Sequence, residues 1–183
     1  MSTNGKHSAA PRLDDDPIGW LLHPGSRESF LASAYEKSHY VAKNPDKNRF
    51  RDLLNLGDLD VILGTYGLKF PDIRMVNAED EVPRTDYTHK DDMVDPMRVG
   101  RLFAGGATVI FNALHDRHDP VQRLCAAVAQ QATLKTQANI YLTPPHSQGF
   151  GGPRRARTLT PGPGRQSYRH VKPILNLVAF CTV

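Results

Sequence analysis

The stretch that decides the fold is QANIYLTPPHSQGF, residues Gln137 to Phe150. Its first half alternates polar and apolar side chains with the period of two that a β-strand requires. The polar positions are Asn139, Tyr141 and Thr143, and the apolar positions are Ala138, Ile140 and Leu142. Pro144 and Pro145 then end the strand, because proline cannot donate to the ladder. Such a strand lines a site inside a barrel, or it is an ordinary half-buried strand whose polar face meets water.

The run NIYLTPPHSQGF, residues 139–150, resembles the first core strand and following turn of the JmjC-type cupins of the ribosomal-oxygenase class. The segment FLASAYEKSHYVAKN, residues 30–44, is similar to the helix and short extension with which this family opens. The resemblance spans roughly Pro17 to Phe150. It implies an α+β fold, in which a helical N-terminal region leads into a cupin double-stranded β-helix, or jelly-roll, that is incomplete in this chain.

This resemblance also implies a chemistry, that of iron(II)- and 2-oxoglutarate-dependent dioxygenases that hydroxylate protein side chains, including those of ribosomal proteins. Two His and one Asp hold the iron in this family and leave positions open for oxygen and the cosubstrate. The residues carried over as cofactor-binding candidates are Asn139 and Tyr141, with Thr143 on the same face and Ser147 and Gln148 in the turn. An amide and a hydroxyl suit a carboxylate cosubstrate because both donate hydrogen bonds. The alternative is that these side chains are satisfied within the sheet.

The iron motif of the family is absent where the resemblance places it. In the family the turn leads directly into an H-x-D motif, whereas residues 151–157 here are GGPRRAR. The later strand with the second His, and the basic residue that pairs with 2-oxoglutarate, are also lacking. We therefore expect no catalytic residue and no metal ligand, and we expect that iron(II) and 2-oxoglutarate, the cofactors of the family, are not bound by this chain.

Two other groups of residues have the side-chain types of metal ligands. One H-x-D pattern occurs at His89 and Asp91, in a charged segment predicted to be a surface loop, where a chance match is expected. The denser cluster consists of His115, Asp116, His118 and Asp119. Imidazole and carboxylate suit iron or zinc. However, this cluster lies at a loop-to-helix junction where Asp119 is predicted to be the N-cap, so no metal role is predicted for it.

Length, hydropathy and cysteine usage limit the class of protein. A chain of 183 residues can form one domain with a core. Its mean hydropathy of −0.46 is that of a soluble protein, and no apolar run approaches the ~20 residues of a membrane span. Cys125 and Cys181 are too far apart to suggest a zinc site or a disulfide framework, and Cys125 is predicted to be a core thiol. A cytoplasmic location without a membrane partner is expected.

Charge divides the chain after Phe150. Residues 151–183 contain six basic residues and no acidic one, whereas residues 1–150 contain 17 basic and 19 acidic residues. The basic residues of this tail are Arg154, Arg155, Arg157, Arg165, Arg169 and Lys172. Its composition of Gly, Pro and Arg lacks helical or strand periodicity and is what an out-of-frame reading of GC-rich DNA gives. We interpret the tail as a frameshifted or alternative C-terminus, of which His170 to Val183 adds a strand to a sheet edge or promotes aggregation.

The remaining elements follow from periodicity, caps and breakers. Residues 1–16 are expected to be disordered, and residues 17–150 to form the N-terminal part of a JmjC/cupin domain. Helices are predicted from Ser26 or Ser29, over 48–56, 58–63 and 99–103, and after Asp119, where Val121, Leu124, Cys125 and Val128 form an apolar stripe. Strands are predicted over 69–78, 107–111 and 137–143, and 79–95 is predicted to be a surface loop.

The sequence therefore favours a truncated member of the JmjC/cupin protein hydroxylases that is inactive as written. The alternative is a non-catalytic binding or assembly module whose basic tail makes weak, non-specific contact with RNA or an acidic protein. A third hypothesis retains the enzyme, with ligands taken from the His115 to Asp119 cluster. Self-association is expected, because an incomplete barrel exposes unpaired strand edges.

Overall fold

A computed structural model describes residues 11–147, except 36, 39, 47, 78 and 79, and the backbone of residues 174–182. Its elements are α1 (Pro17–Leu22), α2 (Arg27–Ser33), α3 (Leu56–Thr65), β1 (Ile73–Asn77), β2 (Asp80–Glu81), α4 (Pro96–Ala104), β3 (Thr108–Phe111), α5 (Asp119–Ala132), β4 (Lys135–Thr143) and β5 (Ile174–Thr182). Two 3-10 turns, Arg84–Asp86 and Leu114–Asp116, lie between them.

The strands form one sheet in the order β2-β1-β3-β4-β5. The pairs β2–β1, β1–β3 and β3–β4 are antiparallel, and β5 runs parallel to β4 with Lys135 opposite Ile174 and Thr143 opposite Thr182. Helices together with a four-stranded antiparallel sheet confirm the predicted α+β class and the incomplete jelly-roll. Of the two alternatives stated for the final segment, the structure shows the added strand, since β5 lies beside β4 at the sheet edge.

The core lies on the face of the sheet that carries the apolar side chains of β4. Ala138 and Ile140 are buried there, as the alternation predicts, together with buried residues of β1 and β3. The main members of this cluster are Leu59, Ile62, Ile73, Met75, Val99, Val109, Phe111, Val121, Cys125, Ala138 and Ile140. The predicted stripe on α5 is confirmed, because all four of its members are buried. Each fully buried aliphatic side chain contributes roughly 1.5–3 kcal/mol to folding.

The prediction of a helix over 48–56 is wrong. Residues 48–53 form turns instead, in which Arg49 donates hydrogen bonds to the carbonyl oxygens of Trp20 and His23. Phe50 packs edge-on against Trp20, with 5.3 Å between the ring centroids. Helix α3 then begins at Leu56, because the side chain of Asn55 accepts from the amide of Asp58 and the Asp58 carboxylate accepts from the amide of Asn55. Gly57, where a helix break was predicted, is inside the first turn.

The segment predicted to be a surface loop, 79–95, is partly buried. Tyr87 is fully buried, and Thr88 and Val94 are nearly so. Bridges of Lys69 with Met93 and of Thr88 with Val94 fold this segment back over the core. Most charged residues of this segment remain exposed, as the sequence pattern predicts. The pattern missed the buried residues Tyr87, Thr88 and Val94, which hold the segment against the core.

The ends of the other helices refine the predictions. Ser26 is the N-cap of α2, and Asp95 is the N-cap of α4 with Pro96 at its first position. The predicted N-cap role of Asp119 is wrong by one residue. His118 is the N-cap of α5, and it makes no capping hydrogen bond through its side chain. Asp119 and Pro120 therefore occupy the first turn, where a carboxylate is favoured by the helix dipole.

The first described residues are joined to the domain. Asp16, at the end of the segment predicted to be disordered, is the N-cap of α1 and accepts hydrogen bonds from the Gly19 amide and from Nε2 of Gln131 on α5. The Ile18 amide donates to the same Gln131 side chain. Residues 1–10 and the basic cluster Arg154, Arg155 and Arg157 lie outside the described residues. In the described part of the chain, no helix has the length and apolarity that a membrane crossing needs.

Candidate functional site

The candidate site is the polar face of β4, which faces away from the helix-covered core. Ile110 of β3 pairs with Tyr141 of β4 and with Arg74 of β1, so these three residues form one row across the sheet. Nε and Nη2 of Arg74 both donate to Oε1 of Glu81, at 3.0 and 2.8 Å. Tyr141 is partly buried. The row therefore combines a phenol, an apolar side chain and an already paired guanidinium.

A second row pairs two hydroxyl groups. Oγ1 of Thr143 lies 2.9 Å from Oγ1 of Thr108, which is fully buried in β3. Each hydroxyl can donate or accept, so one pair satisfies the buried partner at low cost. This contact joins the Thr143 hydroxyl to the neighbouring strand of the sheet.

Asn139 is tied to the loop that follows β3. Its Oδ1 accepts a hydrogen bond from the backbone amide of Ala113 at 2.9 Å. Ala113 has a left-handed backbone, with φ of 48°, which an L-residue adopts only when its surroundings stabilise it. In the opposite direction, the amide of Ala138 donates to Nδ1 of His115 at 3.3 Å. The backbone ladder between β3 and β4 ends at Phe111. Beyond it, these two hydrogen bonds between a side chain and the backbone connect β4 to the loop.

The turn after β4 is only partly described. Ser147 lies close to Gly106, where an added Cβ would come within 3.2 Å of the Ser147 hydroxyl oxygen. Gly106 has φ of 105°, a backbone conformation that L side chains rarely adopt, so the conformation favours glycine there. Gln148, the other turn residue predicted near the site, lies outside the described residues.

The H-x-D pattern at His89 and Asp91 does not converge on one point. Nε2 of His89 lies 3.8 Å from Oδ2 of Asp95, and the His89 side chain is largely exposed. Asp91 instead accepts a hydrogen bond from the amide of Met93. The two side chains serve separate local contacts in the loop.

The cluster from His115 to Asp119 also separates in the fold. His115 faces β4 through Nδ1 and Asp116 through Nε2, at 3.6 Å. His118 lies against α3, with Nε2 3.6 Å from Oδ2 of Asp58. Within residues 11–147 as described, no three His, Cys, Asp or Glu side chains are arranged to hold a metal ion. Adjacency in sequence therefore does not produce a shared ligand set.

Cys125 lies beneath this junction as a buried free thiol. Burial, and then the negative charge of Asp116, raise its pKa to about 11. A thiol with such a pKa is almost entirely protonated at neutral pH, so it is a poor nucleophile and a poor metal ligand. Cys125 is a core residue, as the sequence predicted.

The helical region, the four antiparallel strands and the polar face of β4 define an α+β protein with part of a cupin jelly-roll. No family model matches the chain. Curated relatives do, and they show that the chain carries a JmjC ribosomal-oxygenase-like region.

Three of these relatives illustrate the extent of the similarity. The bifunctional lysine-specific demethylase and histidyl-hydroxylase NO66 of Drosophila grimshawi is 28% identical over 134 residues, which cover 73% of this chain and 18% of that protein. The protein of the same name from Branchiostoma floridae is 27% identical over 131 residues, 72% of this chain and 21% of that protein. Ribosomal oxygenase 1 of Homo sapiens is 23% identical over 135 residues, 72% of this chain and 20% of that protein. The chain thus spans about a fifth of the length of these relatives.

Sequence reasoning missed the residues that organise this face. Ala113 and Thr108 are the partners of Asn139 and Thr143, and they lie 26 and 35 residues away along the chain. Neither residue carries a motif. The left-handed backbone at Ala113 has no sequence signal, because alanine is not a residue that favours that conformation.

Proposed function

We propose that this chain is a non-catalytic JmjC-type module, in which the polar face of β4 stabilises the fold and does not bind a cofactor. Two hydrogen bonds within the fold carry the proposal. Oδ1 of Asn139 accepts from the Ala113 amide, and the Thr143 hydroxyl is bonded to the Thr108 hydroxyl. These contacts fix the orientation of both side chains within the fold, and a cosubstrate that turned either side chain toward itself would break a partly buried contact. Breaking such a contact costs about 1–3 kcal/mol.

The residues present do not fit an iron(II) centre. A facial triad needs two imidazoles and one carboxylate around one point. His115 and His118 make their closest contacts with different elements, β4 and α3 respectively. The sequence that follows β4, residues 144–183, contains no H-x-D motif. These facts support a role that does not depend on iron, and no reaction step is assigned to the chain.

The names of the relatives support a protein as the ligand class. They describe a lysine-specific demethylase, a histidyl-hydroxylase and a ribosomal oxygenase, whose names point to amino-acid side chains or the ribosome. We propose that this chain also binds a protein, and ribosomal proteins are the first candidates. We place this binding in the cytoplasm. Since the chain corresponds to about a fifth of these relatives, their catalysis is not extended to it.

Turnover of 2-oxoglutarate tests the proposal directly. The full chain is incubated with iron(II), ascorbate and 2-oxoglutarate, and succinate is followed by proton NMR, with ribosomal oxygenase 1 assayed in parallel as the active control. We expect succinate from the control and none above the protein-free background from this chain. Succinate that scales with the concentration of this chain, and that a chelator abolishes, would refute the non-catalytic assignment.

The charge of the tail favours a second candidate function. Six basic residues without an acidic one in residues 151–183 would bind a polyanion with an affinity that falls steeply with salt. Filter binding of a single-stranded RNA at low and at physiological salt measures this. The matched control replaces Arg154, Arg155 and Arg157 with Gln. Equal binding by the two proteins would eliminate the cluster of Arg154, Arg155 and Arg157 as the contact.

A further inference from the structure

An apolar groove of about 420 Å³ lies between α3 and α4 above the core face of the sheet. Helix α3 lines one wall with Leu56 and Leu63, α4 lines the other with Phe103, and Phe111 and Leu142 of the sheet form the floor. Leu56 is 45% exposed, so part of this apolar surface meets solvent. The volume of the groove lies within the range of pockets with which proteins bind ligands.

One carboxylate lies on the wall of this groove. Among the described residues that line it, Asp60 alone carries a charge. Asp60 is exposed, and its carboxylate makes no ion pair or hydrogen bond within the described part of the chain. Asp58, also on α3, instead caps the helix and lies 3.6 Å from Nε2 of His118. The groove therefore combines an apolar surface with one unpaired negative charge, which a basic partner complements.

A glycine on the α4 wall is a second, independent sign of a ligand. Gly100 lines the groove and lies inside the helix Pro96–Ala104, where glycine is less stable than alanine. A Cβ added to Gly100 would meet no other atom within 4 Å, so no contact within the described fold requires glycine there. The bare backbone instead leaves room at the wall of the groove, and a partner can approach α4 closely.

We propose that this groove binds a basic amphipathic helix of a partner protein, with its apolar side chains between α3 and α4 and a Lys or Arg beside Asp60. The inference rests on the protein binding proposed above, and it adds the surface and the chemistry of the partner. The walls are helices of 10 and 9 residues, so each is about 14 Å long and matches between two and three turns of a partner helix. Apolar side chains at i, i+3, i+4 and i+7 of that helix share the face that enters the groove.

Fluorescence anisotropy with a labelled peptide tests this proposal on the full chain. The probe is a fluorescein-labelled peptide of Leu, Ala and Lys, about 15 residues long so that it can form a helix, with its Leu residues on one face and Lys beside them. We expect saturable binding that weakens as salt rises, because salt screens the contact between Lys and Asp60. A peptide with Gln in place of Lys should bind about twofold to fivefold more weakly at low salt. A peptide of the same composition, shuffled so that the Leu residues no longer share a face, should bind at least about tenfold more weakly.

A glycine variant locates the contact in the groove. Gly100→Ala places a methyl group at the α4 wall and is expected to raise the dissociation constant at least about fivefold, because the added group crowds the partner. The same change should raise the melting temperature, since alanine is the better helix former. Gly64→Ala on α3 is the matched control, because a Cβ added there also meets no atom within 4 Å and Gly64 does not line the groove. It should raise the melting temperature as well and leave the dissociation constant unchanged.

A charge variant locates the basic residue of the partner. Asp60→Asn is expected to raise the dissociation constant about twofold to fivefold at low salt and to reduce its dependence on salt. Asp80→Asn, at an exposed position in β2, changes the net charge equally and should leave both quantities unchanged.

Peptide that does not bind the full chain, as expected if the basic tail of the same chain fills the groove, would overturn the proposal. Equal binding by Gly100→Ala and the unchanged chain, or an equal effect of Asp60→Asn and Asp80→Asn, would overturn it as well. The succinate assay described above separates this inference from the proposed function. Succinate formation by a chain that binds the peptide would refute only the non-catalytic assignment, whereas a chain that forms no succinate and binds no peptide would refute only this inference.

Discussion

Oδ1 of Asn139 accepts a hydrogen bond from the amide of Ala113 at 2.9 Å, and this contact joins β4 to a left-handed residue in the loop after β3. The side chain that resembles a cofactor-binding position is therefore a component of the loop. The same loop returns a contact to β4 through His115. The polar face of β4 is organised by these reciprocal bonds.

Removal of the Asn139 amide is predicted to destabilise the protein. Asn139→Ala leaves the partly buried amide of Ala113 without its partner, so the free energy of unfolding in urea should fall by about 1–3 kcal/mol. Asn139→Asp keeps an acceptor oxygen at the same position and should lose less. Amide hydrogen exchange at Ala113 should accelerate in the alanine variant, while that of Ile110, inside the ladder, should follow only the global loss. An unchanged exchange rate at Ala113 would show that the contact contributes nothing.

A gain in stability is predicted at the end of α5. Thr133 caps this helix with φ of 57°, a left-handed conformation that a β-branched residue adopts at a cost. Glycine is the residue preferred at this position, so Thr133→Gly should raise the free energy of unfolding by about 1 kcal/mol. Thr133→Ala keeps a Cβ and should give a smaller gain. A lower melting temperature for the glycine variant would contradict the strain assigned to Thr133.

The cap of α1 is predicted to make stability depend on pH. Burial opposes the ionisation of Asp16, but hydrogen bonds from Gln131 and Gly19 and the charge of Arg27 outweigh it and lower the pKa below the ordinary value of 3.8. A carboxyl whose pKa is lower in the folded state contributes stability above the unfolded value, and this contribution disappears as the pH falls through the folded value.

Asp16→Asn isolates this contribution, because it keeps an acceptor for the Gly19 amide and removes the charge. Wild type should exceed the variant by roughly 0.5 kcal/mol in urea unfolding at about pH 7, and the difference should be smaller at about pH 3. A difference that is the same at both pH values would show that the charge is irrelevant.

The thiol of Cys125 is predicted to be inert in the folded protein. With a pKa of about 11, roughly one thiol in a thousand is ionised at about pH 8. In a Cys181→Ser background, the rate of alkylation should therefore be at least about a hundredfold lower in the folded protein than in urea. Equal rates would mean that the thiol is exposed and that the packing of α5 on the sheet is wrong.

Local patterns in the sequence predicted most of the elements. The alternation of β4 and the stripe on α5 are carried by neighbouring residues, so burial follows them closely. The start of α3 was missed although its signal is also local, since Asn55 and Asp58 have the spacing of a capping box. The predicted break at Gly57 gave too much weight to a single glycine.

Tertiary contacts explain what the sequence could not predict. Tyr87 lies in a segment rich in charge, and it is buried only because Thr88 and Val94 form a bridge that brings this segment over the core. The role of Asn139 depends on a backbone conformation 26 residues away. The resemblance to a family predicts a cofactor-binding role for Asn139, and the structure shows that its Oδ1 also binds the loop.

Equilibrium dialysis of iron(II) under anaerobic conditions, with and without 2-oxoglutarate, tests the central claim most directly. It is applied to the full chain and to the His115→Ala/His118→Ala double variant, with ribosomal oxygenase 1 as the positive control. The account predicts no saturable binding by either form of this chain, with or without the cosubstrate. Stoichiometric iron that depends on 2-oxoglutarate, and that is lost in the double variant, would contradict it, because the two histidines would then have to converge on one ion.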